Sequence, residues 1–201
     1  VIGLTLVQDD PERLSINRTE AIFSAYNGTA WSTPVALGDD GTADFHPRHL
    51  MFDGGNAIAA WEDGRAVLAD AALFDDVVGG LEISVSAYSA AAGQWLPRQR
   101  LTDNAYLDRS PRLSGPSASN VMVTWISNEA NDLRGSAAAP NKLWYSLYNG
   151  TAWSAPAVAA QIPSGILVYD LVYNGTAGHV VLSLDTDGDS ETIPDTELYR
   201  L

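Results

Sequence analysis

Ala21 to Pro34 reads AIFSAYNGTAWSTP, and Leu143 to Pro156 reads LWYSLYNGTAWSAP. A Ser, the run Tyr-Asn-Gly-Thr-Ala-Trp-Ser and a closing Pro return in the same register. A looser copy, ISVSAYSAAAGQWLP, lies between them at Ile83 to Pro97. Trp31, Trp95 and Trp153 therefore mark one recurring position, roughly 60 residues apart. A sequence that returns to the same residues at a fixed period builds one structural unit several times over.

Working outward, Pro47-Arg48 and Pro111-Arg112 each fall 16 residues after their Trp. An apolar hairpin follows in each copy: His49 to Asp63, Arg112 to Asn128 and Leu167 to Asp185. Trp61 and Trp125 share a place within it that Leu184 takes in the third copy. The opening segment, Val1 to Asp10, resembles the second half of such a hairpin. Tyr, Trp, Val, Ile and Thr are enriched in short runs bounded by Gly, Asn, Asp and Pro, which is the pattern of strands. Val121, Val123 and Trp125 share a face by the two-residue period. Asn27-Gly28 and Asn149-Gly150 sit between strands, where both residue types tolerate the positive φ of a tight hairpin. Nothing reads as a helix of useful length.

Each unit has four strands, placed in one copy at A (Arg48 to Phe52), B (Ala57 to Trp61), C (Leu81 to Tyr88) and D (Trp95 to Leu101). The predicted fold is all-β: a β-propeller of four-stranded antiparallel blades. A stack of hairpins or a sandwich is the alternative, and the fixed phase of the repeat argues against a sandwich. The blades run approximately 1–40 (partial), 45–104, 109–160 and 167–201 (partial), giving two full and two partial blades in a single region. The chain starts at strand B and stops inside strand C. The phase predicts further residues completing a ring of six to eight blades, partner chains over the open edges, or a domain swap, because uncovered edges invite aggregation.

Ser24-Ala25-Tyr26-Asn27-Gly28-Thr29-Ala30-Trp31 and Ser146-Leu147-Tyr148-Asn149-Gly150-Thr151-Ala152-Trp153 resemble the Asp-box of sialidase-like propellers, which runs Ser-x-Asp-x-Gly-x-Thr-Trp across the C–D hairpin. Ser, Gly and Trp match. Tyr26 and Tyr148 stand where the family has Asp, and Ala30 and Ala152 where it has Thr. The middle copy keeps only Ser86 and Trp95. The resemblance implies an architecture; the box itself carries no catalysis.

Lys plus Arg number 11 against 25 Asp plus Glu, a net charge of −14. Such a surface repels phosphate backbones and excludes nucleic acid as an expected partner. No stretch approaches the roughly 20 apolar residues of a membrane span. There is no Cys, and no signal-peptide pattern at Val1. An exported protein, extracellular or on a bacterial cell surface, is the expected setting.

The B–C loops are long, at Gln8 to Glu20, Glu62 to Gly80, Ser127 to Lys142 and Asp185 to Thr196. Long loops within a compact domain point to function or disorder. Asp and Glu collect there, including Glu62, Asp63, Asp70, Asp75 and Asp76, and the D–A loops add Asp39, Asp40, Asp44, Asp103 and Asp108. One acidic face is expected. Its sharpest motif is Asp185-Thr186-Asp187-Gly188-Asp189 with Asp195. Alternating carboxylates around Gly suit Ca²⁺, a hard ion with six to eight oxygen ligands. The Gly position and Thr196 at the twelfth place exclude an EF-hand proper. A calcium site at Asp185, Asp187, Asp189 and Asp195 and a solvated acidic turn both remain open.

His46 and His49 flank Pro47-Arg48, and a zinc site there would need Asp44; ordinary loop histidines are the better reading. Paired carboxylates are required for glycoside hydrolysis, but acid is too abundant here to discriminate. Sialidases hold the substrate carboxylate with three Arg residues. Arg48 and Arg112 occupy matching strand starts, while Tyr169 or Asp170 fills the third, so no catalytic set is assigned. Asn17, Asn27, Asn149 and Asn174 head glycosylation sequons, three of them at turns. The recurring Trp31, Trp61, Trp95, Trp125 and Trp153 read as blade core. Trp144, without equivalents, reads as the exposed aromatic for ligand binding.

The leading functional expectation is a non-catalytic structural or interaction module, calcium-stabilised if the Asp loop binds metal, with protein partners or self-assembly. A lectin-like carbohydrate-binding propeller recognising a cell-surface glycan is the alternative, and a glycoside hydrolase or sialidase-like domain ranks third. Fold alone does not separate them.

Overall fold

The computed structural model describes residues 2–6, 15–38, 40–185 and 196–201. Its strands fall into four antiparallel sheets laid down in chain order. The first holds β1 (Ile2–Leu6), β2 (Thr19–Phe23) and β3 (Val35–Ala36). The second holds β4 (Asp44–Met51), β5 (Ala57–Gly64) and β6 (Leu81–Ser89), with the short β7 (Gln94–Trp95) and β8 (Gln99–Arg100) both paired to β6. The third is β9 (Leu107–Ser117), β10 (Asn120–Asn128), β11 (Asn141–Tyr148) and β12 (Ala157–Ile162). The fourth is β13 (Gly165–Tyr173), β14 (Gly178–Asp185) and β15 (Thr196–Arg200). β7 and β8 share the place of strand D and are split around Pro97, which has no N–H for a ladder. The B–C loop of the second sheet carries a five-residue helix, Phe74–Val78.

The chain is a partial β-propeller of four sheets. The first strands of successive sheets, β4, β9 and β13, lie beside one another, as inner strands around an axis do. A blade with neighbours on both sides must be apolar on both faces, and β5 is buried along its whole length. Ala59 and Trp61 meet Ala21 and Leu37 of the first sheet. Ala60, Ile83 and Val85 meet Val123 and Trp125 of the third. Between the third and fourth sheets, Ile126, Leu143 and Ile162 pack on Ile166, Tyr169, Leu171, Val180, Leu182 and Leu184.

Trp61 Nε1 donates to Asp44 Oδ1 at 3.0 Å, and one sheet on Trp125 Nε1 donates to Asp108 Oδ1 at 3.0 Å. A buried indole needs such an acceptor. Asp44 also accepts the backbone N–H of Ala21 at 2.9 Å, which ties the second sheet to the first. Asp63 gathers Arg98, Arg100, Ser84 and Thr42. The expected acidic loop face is therefore smaller than the composition implies. Asp44, Glu62, Asp63 and Asp108 lie in strands and are buried, because indoles, guanidiniums and backbone N–H groups satisfy them.

The repeated hairpins also differ from expectation. Only Gly takes positive φ, 101° at Gly28 and 94° at Gly150. Asn27 and Asn149 instead cap four-residue loops by accepting the N–H groups two and three residues on. Asn174 does the same between β13 and β14. Asn17, by contrast, is buried, its side chain bonded to the backbone of Leu68. The Tyr of each repeat packs with tilted rings against the recurrent Trp: ring centroids are 5.3 Å apart for Tyr26–Trp31, 5.5 Å for Tyr88–Trp95 and 5.0 Å for Tyr148–Trp153. Trp31 is not core. It is 55% exposed, because none of the described sheets of this chain covers its side of the first blade.

Candidate functional site

Pro47 and Pro111 each interrupt a ladder, and the register shifts between Phe45 and Arg48 in β4 and between Arg109 and Arg112 in β9. The preceding residues, His46 and Ser110, take positive φ of 46° and 57°, which is uncommon outside Gly. A bulge of this kind re-aims side chains. Here it leaves His46 and Arg48 exposed on β4, with Arg109 and Arg112 half-buried on β9.

Glu62, at the far end of β5, holds the two bulges together. One oxygen accepts Ser110 N–H at 2.6 Å, and the other accepts from His46 Nδ1 at 2.8 Å. The Glu62 side chain is 3% exposed and that of His46 66%. The hydrogen bond to Glu62 raises the imidazole above its ordinary basicity, against burial and against the charges of Arg48 and Arg112. Arg112 donates from Nε to the Tyr169 carbonyl at 3.1 Å and lies 5.3 Å over the Tyr169 ring. The Tyr169 hydroxyl lies 2.7 Å from the Ser110 carbonyl and 2.9 Å from the Thr124 carbonyl, so its one proton is shared between the two acceptors. Arg109 reaches the Leu133 carbonyl at 2.6 Å and Ser110 Oγ at 3.2 Å. Three blades thus converge on one cluster.

Among the described residues, arginine–carboxylate ion pairs involve Arg98 and Arg100; Arg48, Arg109 and Arg112 have none. The carboxylate and phenol, in contrast, are committed. Both Glu62 oxygens accept protein hydrogen bonds, and burial holds the Tyr169 hydroxyl well above the usual phenol range. What the cluster offers a ligand is positive charge and N–H donors. Sequence reading noted Arg48 and Arg112 at matching strand starts, more simply a repeat feature, and gave no role to Arg109 or to Glu62 at this place. The third matching place holds Tyr169, whose ring and carbonyl receive Arg112; the third guanidinium comes from β9 itself. His46 lies on a strand and not in a loop, held by a buried acid.

The other predicted sites are dispersed. Of the calcium set, Asp187, Asp189 and Asp195 lie outside the described residues, and Asp185 ends β14 in a buried position against Gly165. Asp44 is turned into the core toward Trp61 and does not join His46 and His49 in a zinc set. No group of three or more metal-binding side chains converges among the described residues. Trp144 is half-buried in β11, its ring stacked on Trp125 at 6.5 Å and 16°, and it lines a cavity of about 320 Å³ with Tyr106, Glu129 and Pro156. No described helix is long and apolar enough to cross a membrane.

No family model matches the sequence, and no curated protein is similar to it. Solved structures match by fold. The α-L-arabinanase of Penicillium chrysogenum, complexed with arabinobiose, superposes on 94% of this chain with a TM-score of 0.50 and 12% identity. The GH93 α-L-arabinofuranosidase of Fusarium graminearum covers 90% of it with a TM-score of 0.48 and 11% identity. The intramolecular trans-sialidase of Ruminococcus gnavus covers 92% with a TM-score of 0.42 and 13% identity. The chain spans 56%, 54% and 38% of those proteins, respectively.

Proposed function

We propose that this chain is a non-catalytic, exported carbohydrate-recognition module whose inner-strand face binds the carboxylate of an acidic saccharide. One observation carries the reading. A chain of net charge −14 keeps three guanidiniums and His46 at one convergence of blades, with none of the three arginines in an ion pair among the described residues. Planar guanidinium forks match carboxylates, and charge-assisted hydrogen bonds are the strong ones. The acidic-sugar reading rests on this arginine cluster, since the sialidase-like resemblance of the repeat is one of architecture. The engagement of Glu62 and Tyr169 within the protein supports binding without turnover. The burial of Asp44, Glu62, Asp63 and Asp108 weakens the competing picture of an acidic face reading a basic partner.

Calorimetric titration with sialylated and uronate-containing oligosaccharides, beside neutral arabinobiose, tests this. Binding of an acidic sugar that weakens with salt is expected. Arg48→Ala is the clean variant because Arg48 is exposed and makes no hydrogen bond or ion pair among the described residues; loss of one charged hydrogen bond, about 1.5–3 kcal/mol, predicts a fall of roughly tenfold or more. Failure of every acidic sugar to bind, or an unchanged Arg48→Ala, would refute the site. Release of free sugar on incubation would refute the non-catalytic half.

A further inference from the structure

The recurrent tyrosines are not spent alike. Tyr26 of the first sheet donates its hydroxyl to the Gly28 carbonyl at 2.9 Å, closing its own turn. Tyr148 holds the same place beside Gly150 in the third sheet and is only 7% exposed. Its hydroxyl makes no hydrogen bond among the described residues, and neither does that of Tyr88 in the second sheet. A buried polar group without a partner has lost its water and gained nothing in exchange. Both tyrosines line one cleft of about 720 Å³ between the second and third sheets. That size falls within the roughly 300–1,000 Å³ of small-molecule sites. The cleft lies where β4, β6, β9 and β11 end, at the opposite end of the strands from Glu62 and the arginine cluster.

Phe52, Ile58, Leu96 and Pro116 give the cleft apolar walls. Among them stand polar groups with unused hydrogen-bonding capacity. Asn56 Oδ1 accepts the Ala90 N–H at 3.0 Å, while its Nδ2 protons have no partner among the described residues. Ser89 Oγ accepts the Ala92 N–H at 3.2 Å and keeps its own proton. Asp53, exposed at the rim, enters no hydrogen bond or ion pair among the described residues. Burial holds the Tyr148 phenol above its ordinary value, so it stays a neutral donor. Among the described residues no Lys, Arg or His lines the cleft, so an anion finds no opposite charge there.

We propose that this cleft is a second binding site, for an uncharged saccharide, separate from the arginine cluster. A sugar ring presents hydroxyls that both donate and accept, and C–H faces that are apolar. The two phenols, Asn56 and Ser89 supply donors. Asp53 supplies two acceptor oxygens for neighbouring sugar hydroxyls, and the walls take the C–H faces. A mostly apolar cleft with a few placed polar groups is the make-up of a small-molecule site. The site also gives a use to Tyr148, which stands where the box has Asp. In the first sheet the equivalent hydroxyl closes a turn; in the third it is kept for a ligand.

Isothermal titration calorimetry of the full chain with arabinobiose, maltose, cellobiose and lactose tests the proposal. Binding of at least one of these neutral sugars, unweakened by salt, is expected. Tyr148→Phe removes a hydroxyl that has no protein partner, so the melting midpoint should hold while affinity falls roughly two- to tenfold, as for one neutral hydrogen bond. Asp53→Ala removes a charged acceptor and should lower affinity roughly tenfold or more. Tyr26→Phe is the matched control at the same repeat position outside the cleft, and should bind as wild type. Failure of all these sugars to bind overturns the proposal, as does binding that both Tyr148→Phe and Asp53→Ala leave unchanged. A lowered melting midpoint in Tyr148→Phe would show a structural use of the hydroxyl and overturn it too. Neutral-sugar binding lost in Arg48→Ala would place the ligand at the arginine cluster instead. None of these outcomes depends on whether acidic sugars bind at that cluster.

Discussion

Substituting Glu62→Gln isolates the group that joins fold and site. The carboxylate accepts Ser110 N–H at 2.6 Å and His46 Nδ1–H at 2.8 Å from a position 3% exposed. Glutamine keeps one acceptor for Ser110 but offers His46 an amide and removes the negative charge. Hydrogen bonds to charged groups contribute about 1.5–3 kcal/mol, and a conserved acceptor places the loss near 2 kcal/mol. For a chain of this length each kcal/mol moves the melting midpoint by about 2–4 °C, so calorimetry should show a fall of roughly 4–8 °C. The imidazole should also titrate at lower pH, since its raised basicity comes first from Glu62. NMR titration of the His46 ring reads this directly. Glu62→Leu, which removes both acceptors, should cost more. A melting midpoint unchanged by Glu62→Gln, together with an unmoved His46 titration, would show that Glu62 does not bridge the bulges.

Stability should fall as pH rises from about 4 to about 8. Burial pushes Asp44 up to about 8 and Glu82 up to about 7, from ordinary values of 3.8 and 4.5. Across that window the folded chain holds protons that the unfolded chain has released, so unfolding is favoured by alkali. Urea midpoints equal at pH 5 and pH 8.5 would refute the assignment. Gly28→Ala and Gly150→Ala should differ although both sites have positive φ. Each bears the left-handed cost of about 1–2 kcal/mol. At Gly150 a Cβ would also sit 2.7 Å from Ser119 Cβ, whereas nothing lies within 4 Å at Gly28. Gly150→Ala should therefore lose about 1 kcal/mol or more beyond Gly28→Ala in urea unfolding; equal losses would show that the Ser119 contact relaxes freely.

The strand plan was legible because it rests on local signals. Period-two runs, Asn-Gly turns and a phase-locked Trp place β4, β5 and β6 within a few residues of their predicted spans. The site was less legible because it depends on contacts between sheets. Glu62 reads as loop acid in a chain rich in acid, and nothing local reveals that it reaches Ser110, 48 residues away. Arg109 was hidden by its neighbour Arg112, which alone sat in phase with Arg48. A signal was present in the repeated X-Pro-Arg of β4 and β9, but that phase marks a bulge only once its cross-strand partners are known. Trp31 was misread as core for a related reason. Repetition shows that positions are equivalent, whereas burial depends on whether a neighbouring sheet is present.

Among the described residues, the substantial packing between sheets runs from each sheet to the next. Such a molecule behaves as a row of coupled units, as repeat arrays do. Within this chain, and among the described residues, the second and third sheets are clamped from both sides, while the first and fourth each pack on one other sheet. Amide hydrogen exchange should then be graded along the chain, slowest in β5 and β10 and faster toward either end, with unfolding advancing inward by whole blades. The inner-strand cluster, built largely from the two doubly clamped sheets, would be the last part of the molecule to lose its shape.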